Sequence, residues 1–557
     1  MSSSTPPFFQ SPSIVWYRND LRVHDHEPLL RASAEGDVLG VFCFDPRWIR
    51  QINYGLPKQI GFPKMSHHRL RFLRESLQDL QKRLQKLGSD LLVVYGKPEE
   101  LLPFIVEQSG AERVHYHGEA ATEELDAEQA VTDALPIPIK RYEGGSMLHP
   151  DDLPFEISRL PNGFTSFRKK VEDKVEIRPP KPAPKALRWE GKAIQEFRFD
   201  GNVIIGTADV IHAAEQEIRR NTADSLYAAH SIVAADADVT RQGHDDYEER
   251  KDREDREDRE DREDREDQLD RNRLSKPIQA AEDLFQGGET YGLARLRYYL
   301  FETRQVLQYK FTRNALFGAD TSTKFSPWLA LGCLSPRMIY AEIKRFEEEV
   351  ESNVSTYWVI FELLWRDFFR FSAIRHGRKI FLKGGIRQNP PPSHINPDLF
   401  HAWATGQTGI PFIDANMREL LKTGFMSNRG RQNVASFLSQ NLNIDWRLGA
   451  AWFESLLLDY DVYSNWGNWA YNSTVGHDAR NRYFNILKQA GDYDPAGEYV
   501  RMWLPELAML PKEFIHQPWE MTHDQQRLFD VVLGQDYPHP VLNLEASYGA
   551  IHRRQPR

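Results

Sequence analysis

Ile14-Val15-Trp16-Tyr17-Arg18-Asn19-Asp20-Leu21-Arg22 is the stretch on which the fold turns. Four apolar, strand-favouring residues stop abruptly in a run of charge and amide, as a buried strand does where it leaves a sheet. Similar short apolar runs recur at residues 38–44, 91–95, 113–117 and 137–142, with helical spacing between them at 66–87 and 119–134. Strands alternating with helices build a parallel sheet covered on both faces, so the amino-terminal part reads as an α/β, Rossmann-like domain. The loop after the first strand holds no glycine. A dinucleotide-binding turn needs glycine there so that the backbone can approach a pyrophosphate, and NAD is therefore not expected.

Past residue 282 the pattern changes to helical spacing, at 290–308, 327–331, 336–349, 355–376, 413–423, 430–442 and 450–457, and ten of the 13 tryptophans lie in this half. An all-α domain so rich in indole is either heavily packed or built around a flat aromatic ligand. The expected organisation is an α/β domain over 1–150, a linker over 151–281, a helical domain over 282–540 and a basic tail over 541–557. Within the linker, residues 252–267 are a pure Asp-Arg-Glu repeat without an apolar side chain. Such a segment has nothing to bury, and it reads as a solvated insert, with a transient charged helix or a protein-binding segment as the alternatives.

The formal charge of the 557-residue chain is −10, but the insert at 245–271 alone carries −8 and leaves −2 for the rest. A near-neutral body accommodates a basic groove, so nucleic acid is not excluded as a partner. Two cysteines far apart, Cys43 and Cys333, exclude a disulfide framework, a zinc cluster and a cysteine-ligated iron–sulfur centre, and no metal is expected. They suit a reducing compartment. No apolar run approaches the roughly 20 residues of a membrane span, and residues 1–13 lack the pattern of a signal peptide. An intracellular protein is expected, with cytoplasm, nucleus and organelle all open.

Three stretches carry chemistry. Asp320-Thr321-Ser322-Thr323-Lys324-Phe325-Ser326-Pro327 sets hydroxyls and an ammonium before a helix, with Ser326 as N-cap and Pro327 as first helical residue. It is either a plain cap or a phosphate seat of hydroxyls, free amides and a positive dipole end. In the run 357–369, Trp358, Glu362, Trp365 and Arg366 share one helix face. There Glu362 either pairs with Arg366 or hydrogen-bonds a base edge beside the stacking face of Trp365. Residues 428–433 and 459–472 then cluster arginines, carboxylates, amides and indoles.

These stretches resemble the photolyase/cryptochrome family, and the resemblance runs from Trp16–Asp25 through Ser322–Cys333 and Gly406–Asp414 to Trp503–Leu507. Finer features resemble its DASH branch: Gly61-Phe62-Pro63-Lys64, the run from Phe361 to Phe369, Gln432 where cyclobutane-dimer photolyases usually place Met, and Tyr471 where they usually place Trp. The resemblance implies FAD in the helical domain, its phosphates and ribityl chain held by Tyr309, Ser322, Thr323, Lys324, Phe325 and Ser326. Arg431 paired to Asp459, with Asp461 and Asn465, would meet the ring, and Asn465 would serve several redox states by turning its amide.

It further implies light-driven repair of cyclobutane pyrimidine dimers. Glu362 and Asn428 would contact the dimer, Trp365 and Tyr471 would wall it, Gln432 and Tyr471 would leave that wall more polar and less stacked, and Arg366 and Arg429 would clamp phosphate. Trp469 and Trp446 map onto the family's reductive tryptophan chain, whose usual third member is missing from residues 388–394, with Trp452, Trp403 or a tyrosine as alternative exits. Glu119 matches the family's contact to a methenyltetrahydrofolate antenna, and also suits a helix start. The expected partner is single-stranded or locally unpaired DNA bearing pyrimidine dimers, with RNA as a second candidate and a monomer as the expected state. The rival expectations are a blue-light signalling receptor and a nucleic-acid-binding flavoprotein with vestigial repair.

Overall fold

Ser13–Tyr17 (β1) is the central strand of a five-stranded parallel sheet in a computed structural model that describes residues 12–52, 61–172, 174–198, 203–222, 284–477 and 483–554. β1 pairs on one side with Val38–Phe44 (β2) and on the other with Arg113–His117 (β4), so that Val15 lies opposite Gly40 and His115. Leu91–Tyr95 (β3) continues the sheet beyond β2, and Ile139–Tyr142 (β5) closes it beyond β4, giving the order β3-β2-β1-β4-β5. Every residue of β2 is buried, as a strand covered on both faces must be. β5 starts two residues later than the sequence suggests, because Pro136 and Pro138 offer no N–H to a ladder. Two helices escape the periodicity, Glu27–Glu35 and Pro98–Ser109, each opened by a proline at its first turn.

The helical half follows its expected segments with informative breaks. The 290–308 pattern is helical over Glu289–Arg297 and then passes through a π-turn at Tyr298–Glu302 to a break at Arg304, whose φ is 54°. The longest helix, Val354–His376, is capped by the Asn353 side chain, which accepts from the Ser355 and Thr356 amides at 2.8 and 3.2 Å. The segment expected to be a linker contributes two packed helices, Phe164–Val171 and Thr207–Thr222, while the insert at 245–271 lies outside the described residues. The expected basic tail instead carries the helix Leu544–Arg554, which buries Leu544 and Ile551 and receives a 2.8 Å hydrogen bond from the Asn441 side chain on Ser547. Its basic residues had hidden that apolar face. Cys43 and Cys333 are both buried and free.

The glycine-free loop after β1 docks the α/β domain onto the helices. Arg22, 2 % exposed, donates to the carbonyls of His24, Asp25 and Gly332 at 3.1, 2.9 and 2.8 Å. The Leu21 amide donates to Leu331 O at 3.0 Å, and Gly332, at φ 65°, approaches so closely that a β-carbon would meet Asn19 O at 2.1 Å. Asp25 binds Arg337 through two bonds of 2.8 and 3.0 Å. Asp367 accepts from the Met147 and Leu148 amides at 3.1 and 2.7 Å. The first loop thus gave up the pyrophosphate turn for an interdomain joint, and the ligand cavity lies elsewhere.

Candidate functional site

Arg295 organises the hydroxyl run from below. Fully buried, it donates to the carbonyls of Ala319, Ser322 and Thr323 at 3.0, 3.2 and 3.0 Å and pairs with Asp320 at 2.8 Å. Lys324 consequently takes φ 58°, and the helix Ser326–Ala330 begins with Phe325 as its N-cap and Pro327 in its first turn. This corrects the expected cap at Ser326, whose hydroxyl makes no capping bond. The helix, at five residues, is also too short to supply much dipole, so the seat consists of side chains. Ser322, Thr323, Lys324, Phe325 and Ser326 all line one cavity of about 290 Å³, together with Tyr309.

Lys324 is buried and free of acidic contact on its cavity side, and burial pushes its ammonium down to about 8 against the pull of Glu419. Burial likewise raises Glu419 to about 7, although the Tyr499 hydroxyl donates to it at 2.6 Å. A desolvated ammonium beside unused hydroxyls suits an anionic group.

The opposite part of the cavity is built by the helices Asn428–Ser436 and Val462–Asn472. Arg431 makes bonds of 2.8 and 3.0 Å to the two oxygens of Asp459 and donates to Met426 O at 2.9 Å. Asp461 caps its helix by accepting from the Ser464 amide at 2.7 Å. Asn465 donates from Nδ2 to Ala450 O at 3.0 Å. That bond fixes the amide, so the expected free turning would break it, and Oδ1 is the atom left to accept from a ligand. Gln432 lines the cavity, and its Oε1 is buried without a hydrogen-bond partner among the described residues.

Glu362, Asn428, Gln432, Arg366 and Trp469 also line this cavity. Glu362 pairs with Arg313, which the sequence analysis had not singled out, and not with Arg366. Burial raises its carboxyl, with Arg313 opposing. Arg366 donates to Gly145 O and lies 3.8 Å from Asp461. Met426 and Ser427, equally unread, and Asn468 from the 459–472 stretch also line the cavity.

The fold and the cavity meet in the comparisons with known proteins. Residues 13–185 match the family model described as DNA photolyase, and residues 358–555 match the FAD binding domain of DNA photolyase. The chain is 46% identical over 542 residues to cryptochrome DASH of Gloeobacter violaceus, covering 96% of this chain and 94% of that one. It is 43% identical to cryptochrome DASH of Xenopus laevis, over 95% of this chain and 89% of the relative. The chain belongs to the photolyase/cryptochrome family. Its DASH-type relatives include a solved structure, the Synechocystis sp. PCC6803 cryptochrome, at 44% identity and TM-score 0.79, covering 98% of this chain and 99% of that one. The matched FAD binding domain contains the Arg431–Asp459 pair, Asp461 and Asn465, and the cavity's ammonium and hydroxyls fit such a cofactor.

Other expected residues of this DASH-type chain stand around the cavity. Trp365 is outside its lining, one face covered by Phe164 at 3.8 Å between ring centroids and 10° between planes, with Tyr471 edge-on at 6.1 Å. Arg429 lies over Tyr493 at 4.6 Å and donates to Asn314 at 3.3 Å. Of the tryptophans, Trp469 meets Phe453 at 5.1 Å and Trp403 at 6.1 Å, whereas Trp446 meets Trp466 at 5.7 Å. Trp466 in turn donates to the Tyr460 hydroxyl at 3.3 Å. Trp452 packs on Phe62 and Phe400.

Glu119 sits at the domain junction, where Arg370 and Tyr463 each donate to its Oε2 at 2.6 Å. Burial opposes its ionisation, but Arg370 and Arg18 hold the carboxyl below its usual range. The cavity adjoining Glu119 is small, about 10 Å³. Nearby, Asp20 Oδ2 accepts from His26 at 2.8 Å and His117 at 2.9 Å.

Proposed function

We propose that this protein repairs cyclobutane pyrimidine dimers in single-stranded DNA by a light-driven electron transfer. One observation carries the proposal: the groups suited to a base edge, Glu362, Asn428 and Gln432, share a single cavity with the groups suited to a flavin dinucleotide. A receptor that only absorbs light has no need of a buried carboxylate at the cavity wall. FAD, when bound in its reduced form, supplies the excited-state electron that splits the dimer and takes it back afterwards.

The chain's own residues do the rest. Lys324 and the hydroxyls of Ser322, Thr323 and Ser326 hold the phosphates, and the Arg431–Asp459 pair with Asp461 orients the ring. Asn465 Oδ1 would accept a hydrogen bond from a ring N–H. Glu362, kept in place by Arg313, and Asn428 hydrogen-bond the dimer's polar edges, while Trp365, covered on one face by Phe164, stands beside the cavity lining. Arg313 and Arg429 meet the backbone phosphates, whereas Arg366 donates to Gly145 O.

The single-strand preference follows from an energy balance. Extruding a dimer from duplex costs a few kcal/mol, and each stacked base returns about 1–3 kcal/mol. Gln432 and the edge-on Tyr471 supply less stacking surface than Met and Trp at these positions would. Replacing Glu362 with Ala tests the assignment: illuminated, pre-reduced protein should lose dimer repair while retaining its flavin. Undiminished repair in that variant contradicts the role of Glu362.

A further inference from the structure

Three indoles of the helical domain lead from the cavity to a tyrosine. Trp469 lines the cavity wall, and the end of its ring rests on Gly449, where a β-carbon would meet Trp469 Cη2 at 2.2 Å. Gly449 stands one turn after Trp446 in the helix Trp446–Leu456, so the two indoles adjoin the same helix face. Trp446 is fully buried, with Nε1 donating to Lys383 O at 3.0 Å, and its ring meets Trp466 edge-on at 5.7 Å. Trp466 Nε1 donates in turn to the hydroxyl of Tyr460 at 3.3 Å, and Tyr460 is half-buried. The other branch from Trp469 runs to Trp403 and, through Phe400, to Trp452, and it ends among buried rings.

The end of the first branch has the chemistry of a donor that releases an electron and a proton together. Burial, with the Glu454 carboxylate nearby, holds the Tyr460 phenol well above its usual range, so it stays protonated until it is oxidised. Burial raises the Glu454 carboxyl, opposed by Lys64, Arg69 and a hydrogen bond from Tyr460. The Arg69 guanidinium lies over the Tyr460 ring at 4.8 Å. We propose that Tyr460 is the outer electron donor for light-driven reduction of the flavin, reached through Trp469, Trp446 and Trp466, and that Glu454 takes its proton. This deepens the repair assignment, which needs reduced flavin, and rests on that cofactor occupying the cavity. The electron that Trp469 gives to the photoexcited flavin is replaced from Trp446, that of Trp446 from Trp466, and that of Trp466 from Tyr460, whose O–H bond breaks as the proton passes to a Glu454 oxygen. A thiolate from solution then returns one electron to Tyr460 while Glu454 returns the proton, and the thiyl radical so formed pairs with a second to give a disulfide. Trp466 and Tyr460 thereby fill the place of the indole missing from residues 388–394.

The test uses flavin-loaded, oxidised protein with dithiothreitol and no DNA, read by transient absorption after a laser flash and by bleaching of the flavin under steady light. Wild type should show a tyrosyl radical growing in as a tryptophanyl signal decays. Tyr460→Phe and Trp466→Phe should lose the tyrosyl signal and bleach more slowly while retaining their flavin, whereas Trp403→Phe should keep both signal and rate. Tyr460→Trp should recover the bleaching with a tryptophanyl radical in place of the tyrosyl, which a merely structural role of Tyr460 does not produce. Glu454→Gln, and heavy water with wild type, should delay the tyrosyl signal because the proton leaves with the electron. A tryptophanyl radical alone in wild type, a tyrosyl signal that survives Tyr460→Phe, or no bleaching by light overturns the proposal, and an undelayed signal in Glu454→Gln overturns the part given to Glu454. Chemically pre-reduced protein bypasses the relay, so a failure of dimer repair there, in protein that still forms the Tyr460 radical, counts against the repair assignment alone.

Discussion

Two buried polar regions of this molecule have similar composition and opposite accounts. At the domain joint, Arg22 meets three carbonyls, Asp25 meets Arg337, and Glu119 meets Arg370 and Tyr463. In the cavity, Lys324 is buried over the Phe425 ring at 5.0 Å with no ion pair among the described residues, Gln432 Oε1 has no hydrogen-bond partner among them, and the Ser326 hydroxyl caps nothing. Buried charge that closes on itself holds a structure together, while buried charge left open is set for something that arrives from outside.

The sharpest way to break this contrast is to exchange its consequences. Arg22→Leu strands three buried carbonyls and should cost about 3–5 kcal/mol, read as a fall in the urea midpoint. Lys324→Met should leave the unfolding of flavin-free protein nearly unchanged, yet weaken FAD binding by about 10- to 150-fold, read by fluorescence titration. A large stability loss at Lys324 with unaltered flavin affinity would reverse the two assignments.

Smaller effects sharpen it. Lys324 has its ammonium lowered to about 8, and a bound phosphate favours the charged form, so FAD uptake should take up a proton. Affinity should therefore be highest below pH 8 and decline, by up to about tenfold per pH unit, as the pH rises above it. Lys324→Met should flatten that profile. The smallest expected effect is that of deleting residues 245–271. A charge repeat without an apolar face should change melting by no more than about 0.5 kcal/mol and leave flavin content as it was.

The sequence made the two regions unequally legible. Strand runs such as residues 38–44 announce themselves because burial on both faces demands continuous apolar residues. The helix Pro98–Ser109 did not, since Pro103 inside it reads as a breaker. At the site, the residues quoted from the hydroxyl run and from 428–433 mostly converge on one cavity, because each is local to a loop or helix end. Arg295 and Arg313 were unread for the converse reason: their partners lie 24 or more residues away, and nothing local distinguishes a buried arginine from a solvated one. The same blindness to distant partners hid the bonds of Arg366 to Gly145 and of Glu119 to Arg370, and it left Phe164 inside a supposed linker.

The central claim meets its most direct test when flavin-loaded protein, chemically reduced beforehand, is illuminated with the same dimer placed in a single strand, in an intact duplex and in a duplex with a bubble around the lesion, at matched salt. Repair should be much faster in the single strand than in the duplex, and the bubble should recover most of the difference. Equal repair of strand and duplex would contradict the proposed preference, and no repair of any substrate by fully reduced protein would contradict the claim that this cavity is a repair site.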